Sequence, residues 1–326
     1  MKTGTKRTTL TLELVPIAGS RFQPTGFPDL GAATFERAGA EGEQLLVESI
    51  QSMANHLEAT TWDRAHDQPA ADVAALPSVR VVDTDGDFLT SSRLEAHRLA
   101  SAYVLDSTLD GASMRDVVLP ERLGLQKGKP LNVRQVAAAV FALDPLSLIH
   151  GVFFAQSSWP WQPKIARALT VFIEASDVRP AVSGGVKRDS VINTSRDAVE
   201  GQSSKEGYGM VPHHRVEYTA AMIRLYAVID EQQFASSGLS SQATELLSAL
   251  AEWELATLLD GGLRLRTACD LVVAVASTAE VPSLAAAQDR LARAVDGAQD
   301  ELGGPIQVVW APKTGKGKPG RTTEDE

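Results

Sequence analysis

LTLELV, residues 10–15, sets Leu10, Leu12 and Leu14 at every second position between polar neighbours, which is the period of a half-buried strand. Downstream, EQLLVESIQSMANHLEA at 43–59 repeats Leu46, Ile50, Met53 and Leu57 at helical spacing, so an amphipathic helix is expected there. LIHGVFF (148–154) and ALTVFIEA (168–175) are short, apolar and rich in β-branched or aromatic residues; both read as strands that pair as neighbours. AAMIRLYAVI (220–229) resumes strand character, and SSQATELLSALAEWELATLLDGG (240–262) reads as a helix capped by serine and stopped by Gly261 and Gly262. LRLRTACDLVV (263–273) alternates again. Strand, helix, strand, strand, helix, strand is the ferredoxin-like or RRM-like order, an α+β palm with helices on one face of an antiparallel sheet. The other face is then open to a ligand, as in many RNA-binding modules.

The remaining segments read as additions to one domain spanning 1–311. Residues 60–135 form an inserted lobe, with a VRVV strand at 79–82 and a helix begun by the capping box Ser92 to Glu95. Another helix follows from Asn132, and a last helix near 283–302 and the strand IQVVW complete the domain. From Gly184 to Arg215 periodic apolar positions vanish; a stretch of that length inside a compact domain is either disordered or a working loop. The polar tail 312–326 reads as disordered.

Composition excludes several classes of protein. Cys269 is the single cysteine in 326 residues, so neither an internal disulfide nor a cysteine-rich zinc site is available. No apolar run approaches the ~20 residues that cross a bilayer, LVVAVAS at 271–277 being far too short, and nothing at the start resembles a signal peptide. A cytoplasmic protein without membrane attachment is expected. The net charge of −10 argues against a surface that grips nucleic acid all over, yet leaves room for a confined basic groove. Between Arg224 and Arg264 there is no lysine or arginine, while Asp230, Glu231, Glu245, Glu252, Glu254 and Asp260 fall there.

Catalytic and cofactor motifs are weak. GKGK in the tail lacks the spacing and the helix of a phosphate loop. Asp83, Asp85 and Asp87 resemble the start of a calcium loop, but the glycine stands at 86 and Phe88 occupies the invariant glycine position, so an ordinary turn is expected. His213 and His214 are adjacent and project in different directions, with no metal-ligand spacing nearby. Cys269 lies in an apolar strand pattern, the setting of a buried structural thiol, and His150 and His97 read first as hydrogen-bonded structural histidines. No metal, no cofactor and no enzymatic activity are expected.

Basic residues carry more information. Arg264 and Arg266 stand two apart in an alternating strand and share one sheet face, suited either to phosphate binding or to pairing with Asp260 and Asp270. GGVKR at 184–188 sets Lys187 and Arg188 beside a glycine pair that lets backbone amides approach an anion; a solvated loop is the alternative.

Longer strings then become recognisable: RFQPTGFPDLGAA (21–33), LLVESIQSMANHLE (45–58), SSRLEAHRLASAYVL (91–105), DPLSLIHGVFF (144–154), SGGVKRD (183–189), GYGMVPHHRVEYTA (207–220) and GLRLRTACDL (262–271). Together, and in order, they resemble the RAMP-superfamily backbone subunit of type I-G (formerly I-U) CRISPR Cascade complexes. The resemblance implies an RRM-like palm with inserted lobes, several copies of which polymerise along one CRISPR RNA and display it to target DNA. Partners are then other copies of the chain, the large, small and RNA-processing subunits of the complex and, indirectly, an effector helicase-nuclease. A thumb hairpin, as in relatives, is assigned to 184–215. Chemistry, rather than the resemblance, nominates the RNA contacts: Arg21, Lys164, Arg167, Lys187, Arg188, His213, His214, Arg215, Arg264 and Arg266. The competing function is a metal-independent endoribonuclease of the same superfamily, with His213 or His214 as general acid or base.

Overall fold

The computed structural model describes residues 2–4, 6–27, 31–39, 41–187, 211–275, 277 and 283–311. They form two compact units. The first comprises Met1–Leu57, Thr170–Ile229 and Leu255–Leu284; the second comprises Glu58–Leu169, Asp230–Glu254 and Ala285–Glu326.

The first unit is an α+β palm. Its elements in chain order are β1 (Arg7–Pro16), β2 (Glu43–Glu48), α1 (Ile50–Ala59), β3 (Leu169–Lys187), β4 (Val211–Asp230), α2 (Ser241–Asp260), of which only the last turns from Leu255 fall in this unit, β5 (Leu263–Arg266) and β6 (Cys269–Val273). The sheet runs β5-β6-β1-β4-β3-β2, with the short strand Thr34–Glu36 beyond β2. Pairings β6–β1, β5–β6 and β3–β2 are antiparallel. With β1, β3, β4 and β6 taken as first to fourth strand, their spatial order is fourth-first-third-second, the split βαβ arrangement expected from the sequence.

Period-two burial makes the core. Leu10, Leu12 and Leu14 of β1, Val171, Ile173 and Ala175 of β3, and Ile223, Leu225, Ala227 and Ile229 of β4 are buried, together with Met53, Ala54 and Leu57 of α1 and Leu255 and Ala256 of α2. Each fully buried aliphatic side chain contributes about 1.5–3 kcal/mol. The alternate positions line the opposite sheet face: Arg224 pairs with Glu13 at 3.2 Å, and Phe172 stacks on Tyr226 with ring centroids 5.2 Å apart.

The second unit contains a five-stranded sheet ordered Phe88–Ser91, Val79–Val82, Ile306–Trp310, Ser107–Leu109, Ala112–Ser113. IQVVW therefore lies in this sheet, parallel to VRVV, and not in the palm. Its polar interior is dense. Arg98 donates Nε and Nη2 to the two oxygens of Glu58 at 2.6 and 2.8 Å and Nη1 to the Gly151 carbonyl at 2.8 Å. His150 Nε2 lies 2.9 and 3.1 Å from the Glu254 oxygens, a buried structural histidine. Burial pushes the Asp144 carboxyl above its ordinary range, against the charge of Arg93 and hydrogen bonds from Ser92 and Ser147.

Several elements differ from the sequence reading. Leu46 lies in β2, and the helix starts only at Ile50; Leu45 and Val47 are buried as strand residues, so the apparent helical spacing spans two elements. LIHGVFF is not a strand: Leu146–Ile149 is one helical turn and only Val152–Phe153 is extended, pairing with Lys164–Ile165. Gly151 between them has φ +84° and a Cβ there would stand 2.9 Å from the Ile165 carbonyl oxygen, so a left-handed glycine breaks the run. The second and third palm strands are consequently β3 and β4. No helix starts at Ser92, whose hydroxyl accepts from Val79 N at 3.1 Å; Ser101 caps the later helix Ala102–Leu105 instead. LRLRTACDLVV is a hairpin, β5 and β6, turning at Thr267–Ala268. The helices at 133–143 and 241–260 match expectation, with Asn132 accepting from Gln135 N and Ser240 Oγ from Ala243 N.

Candidate nucleic-acid interface

After β1 the chain crosses the end of the palm and is tied down at Ile17, Phe22 and Gln23. Ile17 N donates to Asp270 O at 3.0 Å, Gln23 N to Ala268 O at 2.7 Å, and Phe22 exchanges both backbone bonds with Tyr218 at 2.9 and 2.8 Å. The last pair brings Arg21 alongside β4. Period two along β4 puts Arg215 and Glu217 on one side of the strand, and both arginines converge on that carboxylate: Arg21 Nη1 lies 3.4 Å from Oε2 and Arg215 Nη1 3.4 Å from Oε1. The Arg21 side chain is 56% exposed against 11% for Glu217. The segment Pro16–Arg21, Glu217, Thr267, Ala268 and Asp270 line an open cavity of about 320 Å³.

The two hairpin arginines have different fates. Arg264 is exposed, opposite Asp270 in register, and has no ion-pair partner among the described residues. Arg266 is committed to the protein: it donates to the Gln23 carbonyl at 2.7 Å, to Thr25 Oγ1 at 2.6 Å and to the Glu48 carboxylate. Neither Asp260 nor Asp270 is its partner. The side chain of Glu48 is fully buried, with His56 Nε2 at 3.6 Å. Burial alone would raise its pKa, but hydrogen bonds from His56, Arg266 and Thr25 and the charge of Arg266 outweigh this and hold it below the carboxylate range.

A carboxyl whose pKa is lower folded than unfolded adds stability that is complete above its unfolded value and is lost as pH falls through the folded one. The stability advantage of the wild type over Glu48→Gln is therefore expected to be largest near neutrality and to shrink on acidification below about pH 4.3, as measured by urea unfolding at stepped pH. An advantage independent of pH would show that Glu48 is not held ionised. Cys269, buried in β6, has its thiol pushed up to about 12 by burial, so it is neutral and unreactive at physiological pH.

Lys164 and Arg167 belong to the second unit. Lys164 is exposed, its Nζ 5.8 Å from the centroid of the Phe153 ring. Arg167 is half-buried and donates Nε to the His150 carbonyl at 3.4 Å; burial, and then the neighbouring Arg98 charge, depress its pKa. Lys187 ends β3, and His213 and His214 lie in β4, while Arg188 and residues 188–210 of the expected thumb lie outside the described residues, as does the tail 312–326. Among the described residues no three His, Cys, Asp or Glu side chains gather as metal ligands. Asp83 instead accepts from the amides of Asp85 and Asp87, both at 2.9 Å, in a turn closed by Gly86 at φ +92°. Among them, too, no helix is long and apolar enough to cross a membrane.

Sequence reasoning missed Glu217, the junction of the arginine pair, and the loop Ile17–Ser20. Arg-x-Glu at 215–217 in a strand is a visible signal for half of that junction; the approach of Arg21 depends on the fold.

No protein with a curated description matches the chain. A chain of a solved CRISPR RNA-guided surveillance complex, in a pre-nicking state, aligns over 77% of this chain and 68% of its own length, at 12% identity and a TM-score of 0.37. The family model described as CRISPR-associated protein GSU0053 (Cas_GSU0053) matches residues 9–180, slightly more than half of the 326 residues, from β1 through α1 into β3. The chain belongs to the CRISPR-associated GSU0053 family.

Proposed function

We propose that the chain is the CRISPR RNA-binding backbone subunit of a type I-G Cascade surveillance complex. Several copies polymerise in the cytoplasm along one guide RNA and present it for pairing with target DNA. They sit beside the large, small and RNA-processing subunits, and a separate helicase-nuclease acts on the captured target. The subunit is a RAMP-type scaffold with no catalytic step of its own.

The observation that carries this reading is the convergence of Arg21 and Arg215 on Glu217 at an exposed end of an RRM-ordered palm, in a member of a CRISPR-associated family. Two guanidiniums sharing one carboxylate leave a net positive charge and spare donors, suited to the sugar-phosphate chain. Base pairing reads the sequence, so the protein requires backbone contacts and no base-reading code. A chain of net charge −10 that confines its cations in this way avoids gripping unrelated nucleic acid over its whole surface.

The test is to mix purified protein with its CRISPR RNA and measure mass by size exclusion with light scattering, then examine the RNA on a denaturing gel. Assemblies with several protomers per intact RNA are expected. Protein that stays monomeric with RNA present, or RNA cut specifically by wild type but not by His214→Ala, would overturn the proposal.

A further inference from the structure

We propose that the loop Ile17–Arg21 and the cavity it borders form the seat of one phosphate-ribose unit of single-stranded RNA, a site made largely by backbone and sharing Arg21 alone with the basic residues that sequence reasoning selects. The inference rests on the reading of the chain as an RNA binder and adds where on the palm one nucleotide is held.

The loop is fixed at both ends, by Ile17 N to Asp270 O and by Phe22 N to Tyr218 O. Between those anchors, the amides of Ala18, Gly19, Ser20 and Arg21 have no acceptor among the described residues. Gly19 sits at φ +70°. Consecutive free amides around a left-handed residue are the makings of an anion-binding concavity. The same loop lines the cavity of about 320 Å³, a volume at the lower end of the roughly 300–1,000 Å³ range of small-ligand sites.

Charge and polarity divide the cavity. At one end stands Arg21, mostly exposed and held, among the described residues, by a contact of 3.4 Å to Glu217, which leaves donors over for a ligand. Glu217 is already shared with Arg215 and opposes an incoming anion weakly. Asp270, whose carbonyl accepts from Ile17 N, lines the cavity at the Ile17 end of the loop, which puts the phosphate at the Arg21 end. Ile17, 61% exposed, offers an apolar surface to the ribose beside it.

Two variants separate this site from the arginines. A Cβ at Gly19 would meet nothing within 4 Å, so Gly19→Val alters the backbone conformation without crowding a neighbour, and Ser20→Asp sets a negative charge at an exposed position. Both are to be measured for binding of a fluorescent single-stranded guide RNA against a salt series, with thermal melting as the control for folding; Ser20→Asp keeps the test valid if Gly19→Val destabilises the loop. Ser20→Asp is expected to weaken binding about tenfold and to flatten the log–log salt slope by about 0.7, the loss of one phosphate contact. Wild-type affinity in both variants, with Arg264→Glu still weakened, would remove this site while leaving the backbone-subunit reading intact. Failure of the wild type itself to bind would instead defeat that reading.

Discussion

Arg98→Met is expected to lower the melting temperature of the second unit more than any single substitution on the palm surface. Arg98 and Glu58 are both nearly excluded from solvent, and the guanidinium meets the carboxylate through two bonds while a third reaches the Gly151 carbonyl. Removing the cation strips a buried carboxylate of its hydrogen-bonded partner and leaves it the charge of Arg167, a loss of the class that costs about 3–5 kcal/mol. For a unit of this size each kcal/mol shifts melting by roughly 2–4 °C, so a drop of roughly 6–20 °C is expected by calorimetry. Arg98→Met combined with Glu58→Met removes both charges and is expected to recover much of that loss, because well-packed apolar replacements of buried pairs are often neutral. The non-additivity of this cycle is the direct measure of coupling. A double variant as unstable as the sum of the singles would mean that each residue acts alone.

That pair also shows where sequence reading stops. The alternation of Leu10, Leu12 and Leu14 is local, so the strand could be read from six residues, and serine or asparagine before an apolar period placed two helices for the same reason. LIHGVFF failed because a short apolar run has no period of its own; its conformation is decided by Gly151, whose left-handed turn lies against the backbone of Ile165 and Arg167, distant in sequence. Ion pairs are harder still. Arg98 finds Glu58 across 40 positions and Arg266 finds Glu48 across 218, and no local pattern announces either. Arg264 and Arg266 shared a face in the sequence reading, but only the fold shows that Glu48, Thr25 and Gln23 claim the second while the first stays exposed. Arg215 and Glu217 could be placed on one side of a strand by parity alone; the arrival of Arg21 beside them required the exchange of backbone bonds between Phe22 and Tyr218.

The different commitments of these arginines determine what charge reversal does. In a variant carrying Arg21→Glu, Arg215→Glu and Arg264→Glu, every altered side chain is at least one-third exposed. Arg264 has no ion-pair partner among the described residues, whereas Glu217 loses both arginines beside it, so melting is expected to fall, though by less than when the fully buried Glu48 is opposed. RNA binding is expected to fall much further. If each arginine neutralises one phosphate of a single strand, its removal takes about 0.7 from the log–log salt slope, and the three together take about 2. Added repulsion from the new carboxylates brings the expected loss of affinity to roughly 10–100-fold near 0.1 M salt. Arg266→Glu is the contrasting variant. It sets a carboxylate against buried Glu48 and strips Thr25 and Gln23 of their donor, so it is expected to lower melting as well as binding. A triple variant that binds with wild-type affinity and slope would show that this end of the palm does not touch RNA. A triple variant that melts as early as Arg266→Glu would show that these arginines support the fold.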